Sequence, residues 1–359
     1  MNVASKTLTE EECDAFGREL DALRREVVAD LGQRDVDHIR AVIRASHRSE
    51  AAGRLLLAFG VDPLSFALGV GALALSKILE NMEIGHNVIH GQYDWTHDAA
   101  LDSRTYEWDL PCPADDWRHS HNYEHHTFTN ILGRDRDIGY AFLRVCPEQP
   151  WRPRHLAQPV IALGLALGFE WGIAMHDLRI AELLEGEARL GDVVRRARPF
   201  AVKATWQLVK DYLFHPALAW WNAPRVLAGN LAANVVRNLW AFAIIFCGHF
   251  PEGTRFYDEA EARDESRGRW YVRQLNGSAN IDGGRWLHVL SGHLSHQIEH
   301  HLFPDLPASR YPELAPRVRE LCARHGQRYG SGSLGRQLGS VVRRLVGLAW
   351  PEVRSRAAA

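Results

Sequence analysis

Three short histidine clusters hold the densest chemistry in the 359-residue chain. They read HNVIH, HNYEHH and HQIEHH. Their eight imidazoles belong to His86, His90, His121, His125, His126, His296, His300 and His301. On a helix, residues four positions apart lie one turn apart on the same side, so each cluster can turn two rings toward one ion. The second member of each adjacent pair points about 100° further round, toward a neighbouring ion. One four-coordinate ion cannot use eight ligands, so the pattern predicts two metal ions.

Four apolar runs must position these clusters: 55–78, 156–175, 212–222 and 226–248. A helix of about 20 residues can cross a bilayer, so two of the runs are long enough and two are marginal. The mean hydropathy of −0.26 would also suit buried helices of a soluble protein. Gly, Ala, Asn and Trp within the runs favour packed membrane helices. We therefore predict an all-α fold with about four membrane helices and a cytoplasmic helical cap that holds a histidine-rich di-metal site.

The charge pattern gives a provisional topology and domain division. The basic segment 179–210 is expected on the cytoplasmic side. The run 156–175 is then predicted to be re-entrant or interfacial. We predict an N-terminal amphipathic, cytoplasmic segment over residues 1–50, a membrane domain over 51–325 and a C-terminal tail over 326–359.

Composition narrows the class of protein. A net charge of −2 gives no reason to expect a nucleic-acid partner. The five cysteines are scattered without a C-x-x-C, which excludes a thiolate metal cluster and suits a reducing compartment. The first residues lack a basic and apolar leader, so no signal peptide is expected.

Two stretches around the clusters carry a family resemblance. WRHSHNYEHHTFTNILGRD and SHQIEHHLFPDLP resemble the membrane-bound fatty acid desaturases, in particular the bacterial acyl-CoA and acyl-lipid branch that is related to the front-end desaturases. The resemblance covers about residues 80–320. It implies that two irons, O2 and two external electrons convert an acyl chain into its unsaturated product and water. It also implies that the eight histidines are iron ligands, together with His249 in FCGHFPEG.

The third cluster leaves one ligand ambiguous. Front-end relatives use a glutamine there, and Gln297 directly follows His296. We expect His296 to bind, because it repeats the spacing of the second cluster and because imidazole is the stronger donor to iron. Gln297 would then support it by hydrogen bonding. Glu124 and Glu299 precede the paired histidines, and they either accept ring N–H bonds or face solvent.

The remaining histidines are not expected to bind metal. Those that border the clusters, His119 and His293, are expected near the site or at the surface. The others are expected to be structural: His97, His155, His176, His215, His288 and His325.

The electron source is expected to be a separate protein. The chain has no haem-binding stretch of a fused cytochrome b5 and no Gly-rich dinucleotide motif, so a ferredoxin or a flavoprotein reductase is implied. The predicted location is the inner membrane, with several membrane crossings and the active site facing the cytoplasm. Two alternatives are a di-iron hydroxylase of alkanes, sterols or carotenoids and a non-enzymatic membrane metal-binding protein. The sequence leaves open the double-bond position, the chain length and whether the acyl group is carried by CoA or by a lipid.

Overall fold

The architecture is almost entirely helical. A computed structural model describes residues 5–186 and 188–351. Residues 1–4 and 352–359 of the predicted terminal segments lie outside the described part. The α-helices are α1 (Glu10–Ala29), α2 (Gln33–Phe59), α3 (Pro63–Ile78), α4 (His86–Ile89), α5 (Ala114–Trp117), α6 (His126–Phe128), α7 (Gln158–Leu167), α8 (Phe169–Asp177), α9 (Ile180–Glu185), α10 (Leu190–Val209), α11 (His215–Leu218), α12 (Ala223–His249), α13 (Arg267–Gly277), α14 (Arg285–Leu290), α15 (Gln297–Leu302), α16 (Tyr311–Arg324) and α17 (Leu334–Leu348).

Shorter elements connect these helices. The π-helical segments are Leu79–Gly85, Arg118–His125 and Lys210–Phe214. The 3-10 turns are Asp94–Thr96, Ala99–Leu101, Ile138–Ala141, Pro153–Ala157, Trp220–Asn222, Leu294–His296 and Ala308–Arg310. Two three-residue strands, β1 (Asn280–Asp282) and β2 (Ser331–Ser333), pair in parallel with Asn280 opposite Ser331. The helical fold class is thus confirmed, with one small strand pair that the sequence pattern did not predict.

Few helices are both long enough and apolar enough to be candidate membrane spans. In the described part of the chain, Pro63–Ile89 and Trp220–His249 are long and apolar enough to cross a membrane. Pro153–Leu167 and Phe169–Asp177 form a pair bent by 101°, which raises the count to at most three. The described part of the chain thus has two or three candidate spans, where about four were predicted. The run 212–222 does not form one continuous helix, because a π-helical segment, a four-residue helix and a 3-10 turn divide it.

Local signals explain how the first span begins and packs. Asp62 caps α3, since its side chain accepts a hydrogen bond from the backbone N–H of Ser65 at 2.9 Å. A Cβ atom on Gly53 would lie only 2.8 Å from the backbone nitrogen of Leu73, so α2 and α3 touch backbone to backbone at this glycine. Such close contacts between small residues are typical of helices packed in membranes.

The predicted N-terminal segment is an integral part of the fold. Helix α1 begins at a capping box formed by Thr9 and Glu12. Its apolar side buries Phe16 and Leu20 in a core that also contains residues of α13, α15 and α16. The predicted boundary at residue 50 falls inside α2. Helix α1 therefore packs beside the third histidine cluster.

Candidate metal centre

Seven of the nine predicted ligands converge in two adjacent groups. In each group the possible ligand atoms lie within 4.8 Å of one another. The first group is His86, His90, His121 and His300, and the second is His125, His249 and His301. His121 and His125 connect the groups, since their rings stack with centroids 4.9 Å apart.

His126 lies between the two groups. Its ring centroid is 4.7 Å from that of His90, 4.8 Å from that of His300 and 4.7 Å from that of His301. Both of its ring nitrogens are buried and have no hydrogen-bond partner within the described residues. His126 is therefore available as a further ligand.

The first two histidine clusters lie on, or directly after, π-helical segments. The span that starts at Pro63 widens into the π-helical segment Leu79–Gly85 immediately before His86. The second cluster lies on the π-helical segment Arg118–His125. π-bulges are frequent at functional sites. A Cβ atom on Gly85 would approach the Cβ of Trp108 to 3.1 Å, so this glycine lets the span lie against the loop that leads into the second cluster.

The buried ring nitrogens fit metal ligation. Among the predicted ligands, six Nε2 atoms are buried without a hydrogen-bond partner in the described part of the chain: those of His90, His121, His125, His126, His300 and His301. A buried polar atom without a partner is costly, and metal ions in the two groups would satisfy these six. Burial first, and neighbouring histidines second, hold the pKa of His126, His300 and His301 well below its ordinary value. These rings are therefore neutral, which is the form that binds metal.

Polar side chains behind the rings fix their orientation. Asp137 accepts from Nδ1 of His121 at 3.0 Å, and both oxygens of Asp135 lie 3.0 Å from Nδ1 of His125. The Oε1 atom of Gln274 lies 2.9 Å from Nδ1 of His301. Sequence reasoning missed these three partners. The motif GRDRD directly after the second cluster was the available signal for the two aspartates.

The carboxylate of Asp135 also changes the charge balance at His125. Burial opposes a charge on this ring, but the charge and hydrogen bond of Asp135, together with the charge of Asp137, outweigh burial and raise the pKa of His125. Asp137 also lies 3.4 Å from Nε2 of His176, a histidine that was expected to be only structural. Carboxylates that hold ligand histidines in this way increase the basicity of the ligand.

The two glutamates of the clusters make their contacts outside the two histidine groups. Glu124 pairs with Arg136 at 3.4 Å. Glu299 accepts hydrogen bonds from Asn280 and Tyr329, each at 2.8 Å, and burial raises its pKa to about 7. Neither carboxylate is placed against a ring of the two histidine groups.

His296 lies apart from the two groups, contrary to the expectation from spacing. Helix α15 begins only at Gln297, and His296 belongs to the preceding 3-10 turn, with φ −106° and ψ 56°. The helical rule for positions i and i+4 therefore does not hold between His296 and His300. The ring of His296 instead lies against that of His288, with centroids 4.5 Å apart. Gln297 faces the second group, since its Nε2 is 3.1 Å from Nε2 of His249.

An apolar cavity adjoins both groups. Histidines of the first group and His249 of the second line it, as does Gln297. Its apolar lining comprises Met82, Trp108, Trp117, Tyr140, Phe169, Ile173, Ile245 and Leu294. Trp117 stacks on His121 with centroids 4.3 Å apart, so the cavity wall touches the histidines directly. The cavity thus places an apolar surface beside both histidine groups.

Comparisons with known proteins identify relatives of this chain. Residues 63–333 match the family model described as fatty acid desaturase. The chain is 44% identical over 349 residues to NADPH-dependent stearoyl-CoA 9-desaturase of Mycobacterium tuberculosis. The aligned region covers 96% of this chain and 82% of the relative. It is 28% identical over 274 residues to sn-1 linoleoyl-lipid 6-desaturase of Synechocystis, covering 73% of this chain and 74% of the relative. Fatty acid desaturase 3 of Homo sapiens is 26% identical over 293 residues, covering 77% of this chain and 59% of the relative.

The chain belongs to the fatty acid desaturase family. It is an oxidoreductase that acts on acyl chains, and the predicted family and enzyme class are confirmed. The hydroxylase and the non-enzymatic alternatives are therefore set aside.

Proposed function

We propose that this enzyme introduces a double bond at C9 of stearoyl-CoA or of a saturated acyl-CoA of similar length. The observation that carries the proposal is the apolar cavity, which runs beside both histidine groups and contacts His86, His121 and His249. The choice of CoA and of C9 rests on the activity named for the mycobacterial relative, which matches nearly the whole chain.

Two iron ions would occupy the two histidine groups. The first ion would be held by His86, His90, His121 and His300, and the second by His125, His126, His249 and His301 with Gln297. Iron held by these residues would supply the O2-dependent oxidation of unactivated methylenes, a chemistry that no side chain offers. We assign Gln297 rather than His296 to the second ion because only Gln297 lies beside His249.

The chain's own side chains position the substrate and the ligands. The apolar walls bind the alkyl chain and exclude water, so that one pair of carbons lies next to the histidines. Trp117 forms part of the cavity wall and stacks on His121. Asp135 and Asp137 keep two ligand rings turned inward, as carboxylates behind metal-bound histidines do.

Electrons would come from NADPH through a separate ferredoxin or flavoprotein reductase. The dependence on NADPH is named for the mycobacterial relative. The sequence carries no flavin or haem motif that would make the reductase part of this chain.

The enzyme would lie in the inner membrane with its histidines on the cytoplasmic side. Helix α10 fits a position at the membrane surface, since one side is apolar and exposed at Val194 and Val202. On its other side, Arg196 pairs with Asp116 at 3.0 Å and Lys203 pairs with Glu107 at 3.0 Å, close to the second cluster. A helix with these two faces is suited to the membrane surface.

Product analysis tests the proposed function. Membranes from a host that lacks the activity would carry the chain and receive NADPH, a reductase fraction and stearoyl-CoA. We expect a double bond at C9, located by mass spectrometry of derivatised products. His121→Ala should give no product, whereas His119→Ala, which changes an exposed histidine of the same segment, should retain activity. A double bond elsewhere would refute C9, and product from lipid-linked but not CoA-linked chains would refute the acyl carrier.

A further inference from the structure

A third group of metal-binding residue types lies outside the two histidine groups. It consists of His38, Glu83 and His293, whose possible ligand atoms lie within 4.8 Å of one another. The Glu83 carboxylate is 2.6 Å from Nε2 of His38 and 2.8 Å from Nδ1 of His293. The three residues come from α2, from the π-helical segment of the first span and from the loop before the third cluster.

The Glu83 carboxylate has two imidazoles as its basic partners in the described part of the chain. Glu83 is completely buried. Within the described residues, the basic groups at ion-pair distance from it are these two imidazoles, and no lysine or arginine joins them. An imidazole, unlike a guanidinium, carries a charge only when it is protonated. A buried carboxylate is costly unless a charged partner or a metal compensates it. The group therefore suits a bound cation.

The backbone holds His293 against the carboxylate. His293 has φ of 56°, in the left-handed region that residues other than glycine adopt uncommonly. The preceding Gly292, with φ of 64°, lies so close to the span that a Cβ atom there would be 2.1 Å from the carbonyl oxygen of Met82. Met82 is the neighbour of Glu83, so the loop is pressed onto the span where the carboxylate lies.

We propose that His38, Glu83 and His293 bind one divalent transition-metal ion, with zinc as the best match. Two imidazoles and one carboxylate with a fourth position open to water form a known type of zinc site. Tetrahedral bonds of 2.0–2.2 Å would place neighbouring donors about 3.3 Å apart, so the present contacts need to open by about half an ångström. The side chain of His38 is 25% exposed and gives the ion a path from solvent.

The ion would join three parts of the fold. It would tie α2 and the first span to the loop that leads into Gln297, His300 and His301. None of its ligands belongs to the two groups assigned to iron, so this site does not depend on the proposed reaction. Its expected role is to hold the third cluster in place.

Metal counting on the full-length protein tests the site. The purified protein in detergent would be stripped with a chelator, reloaded with excess Zn²⁺, desalted and analysed by mass spectrometry of the metal. We expect about three zinc ions per wild-type chain and about two in His38→Gln. Glutamine can still donate a hydrogen bond to Glu83 but binds zinc poorly, so the variant keeps a purely hydrogen-bonded contact. His47→Gln, an exposed position on the same helix, should keep three.

Either of two results would overturn the inference. One is that the wild type saturates at two zinc ions, and the other is that His38→Gln still holds three. His121→Ala separates this proposal from the assignment of the iron groups, because it should remove an ion of those groups and leave the one at Glu83. A chain that carries both His38→Gln and His121→Ala should therefore lose both ions. If His121→Ala lost none while His38→Gln lost one, the iron ligands would be misassigned and the third site would stand.

Discussion

Replacing Asp135 by asparagine should weaken iron binding without unfolding the protein. Each oxygen of this buried carboxylate has two hydrogen-bond donors. One oxygen accepts from the backbone N–H of Asn130 at 2.8 Å and the other from that of Asp137 at 3.0 Å, and both lie 3.0 Å from Nδ1 of His125. An asparagine has only one oxygen, so in either orientation its NH2 group meets a backbone N–H. His125 also loses a charged acceptor.

The size of the effect follows from the bond that is lost. A hydrogen bond to a charged group contributes about 1.5–3 kcal/mol. Loss of a partner behind a ligand histidine typically costs about 10- to 100-fold in metal affinity. We therefore expect the Kd for Fe²⁺ to rise about 10- to 100-fold, with activity largely restored at saturating iron.

Competition with a chromophoric chelator would measure the affinity of the stripped protein for Fe²⁺. Asp115→Asn is the matched control, because that side chain is 91% exposed and lies just before the same π-helical segment. A folded Asp135→Asn protein with wild-type iron affinity would refute the role given to this carboxylate.

Three further predictions concern the ligand set, the fold and the cavity. Gln297→Ala should reduce activity at least about tenfold and weaken one iron site, whereas His296→Ala should keep both irons; the opposite result in iron analysis would restore the assignment from spacing. Arg310→Met should destabilise the fold by about 3–5 kcal/mol, because it leaves the buried Asp35 carboxylate without its guanidinium partner. Two nitrogens of that guanidinium now lie 2.5 Å and 2.7 Å from the carboxylate oxygens. A thermal midpoint equal to that of wild type would contradict this. Ile245→Trp should shift the product profile toward shorter acyl chains by filling the cavity, and an unchanged profile would mean that the acyl chain lies elsewhere.

The number of histidines in the three clusters predicted two groups of ligands, and the structure gathers histidines in two such groups. The helical spacing rule holds for His86 and His90, which share a group, whereas His121 and His125 on the π-helical segment belong to different groups. The resemblance added His249, which the fold brings to the second group from the end of α12. Local periodicity is a property of the chain itself, so residue types and spacing carry this information.

The tertiary structure decided the rest. The choice between His296 and Gln297 depends on the residue at which α15 begins, and spacing cannot locate that boundary. Asp135 and Asp137 reach the rings because the chain turns back after the second cluster, and His38 meets Glu83 and His293 across three distant segments. Contacts of this kind arise from packing and burial among parts of the chain that the linear order keeps apart.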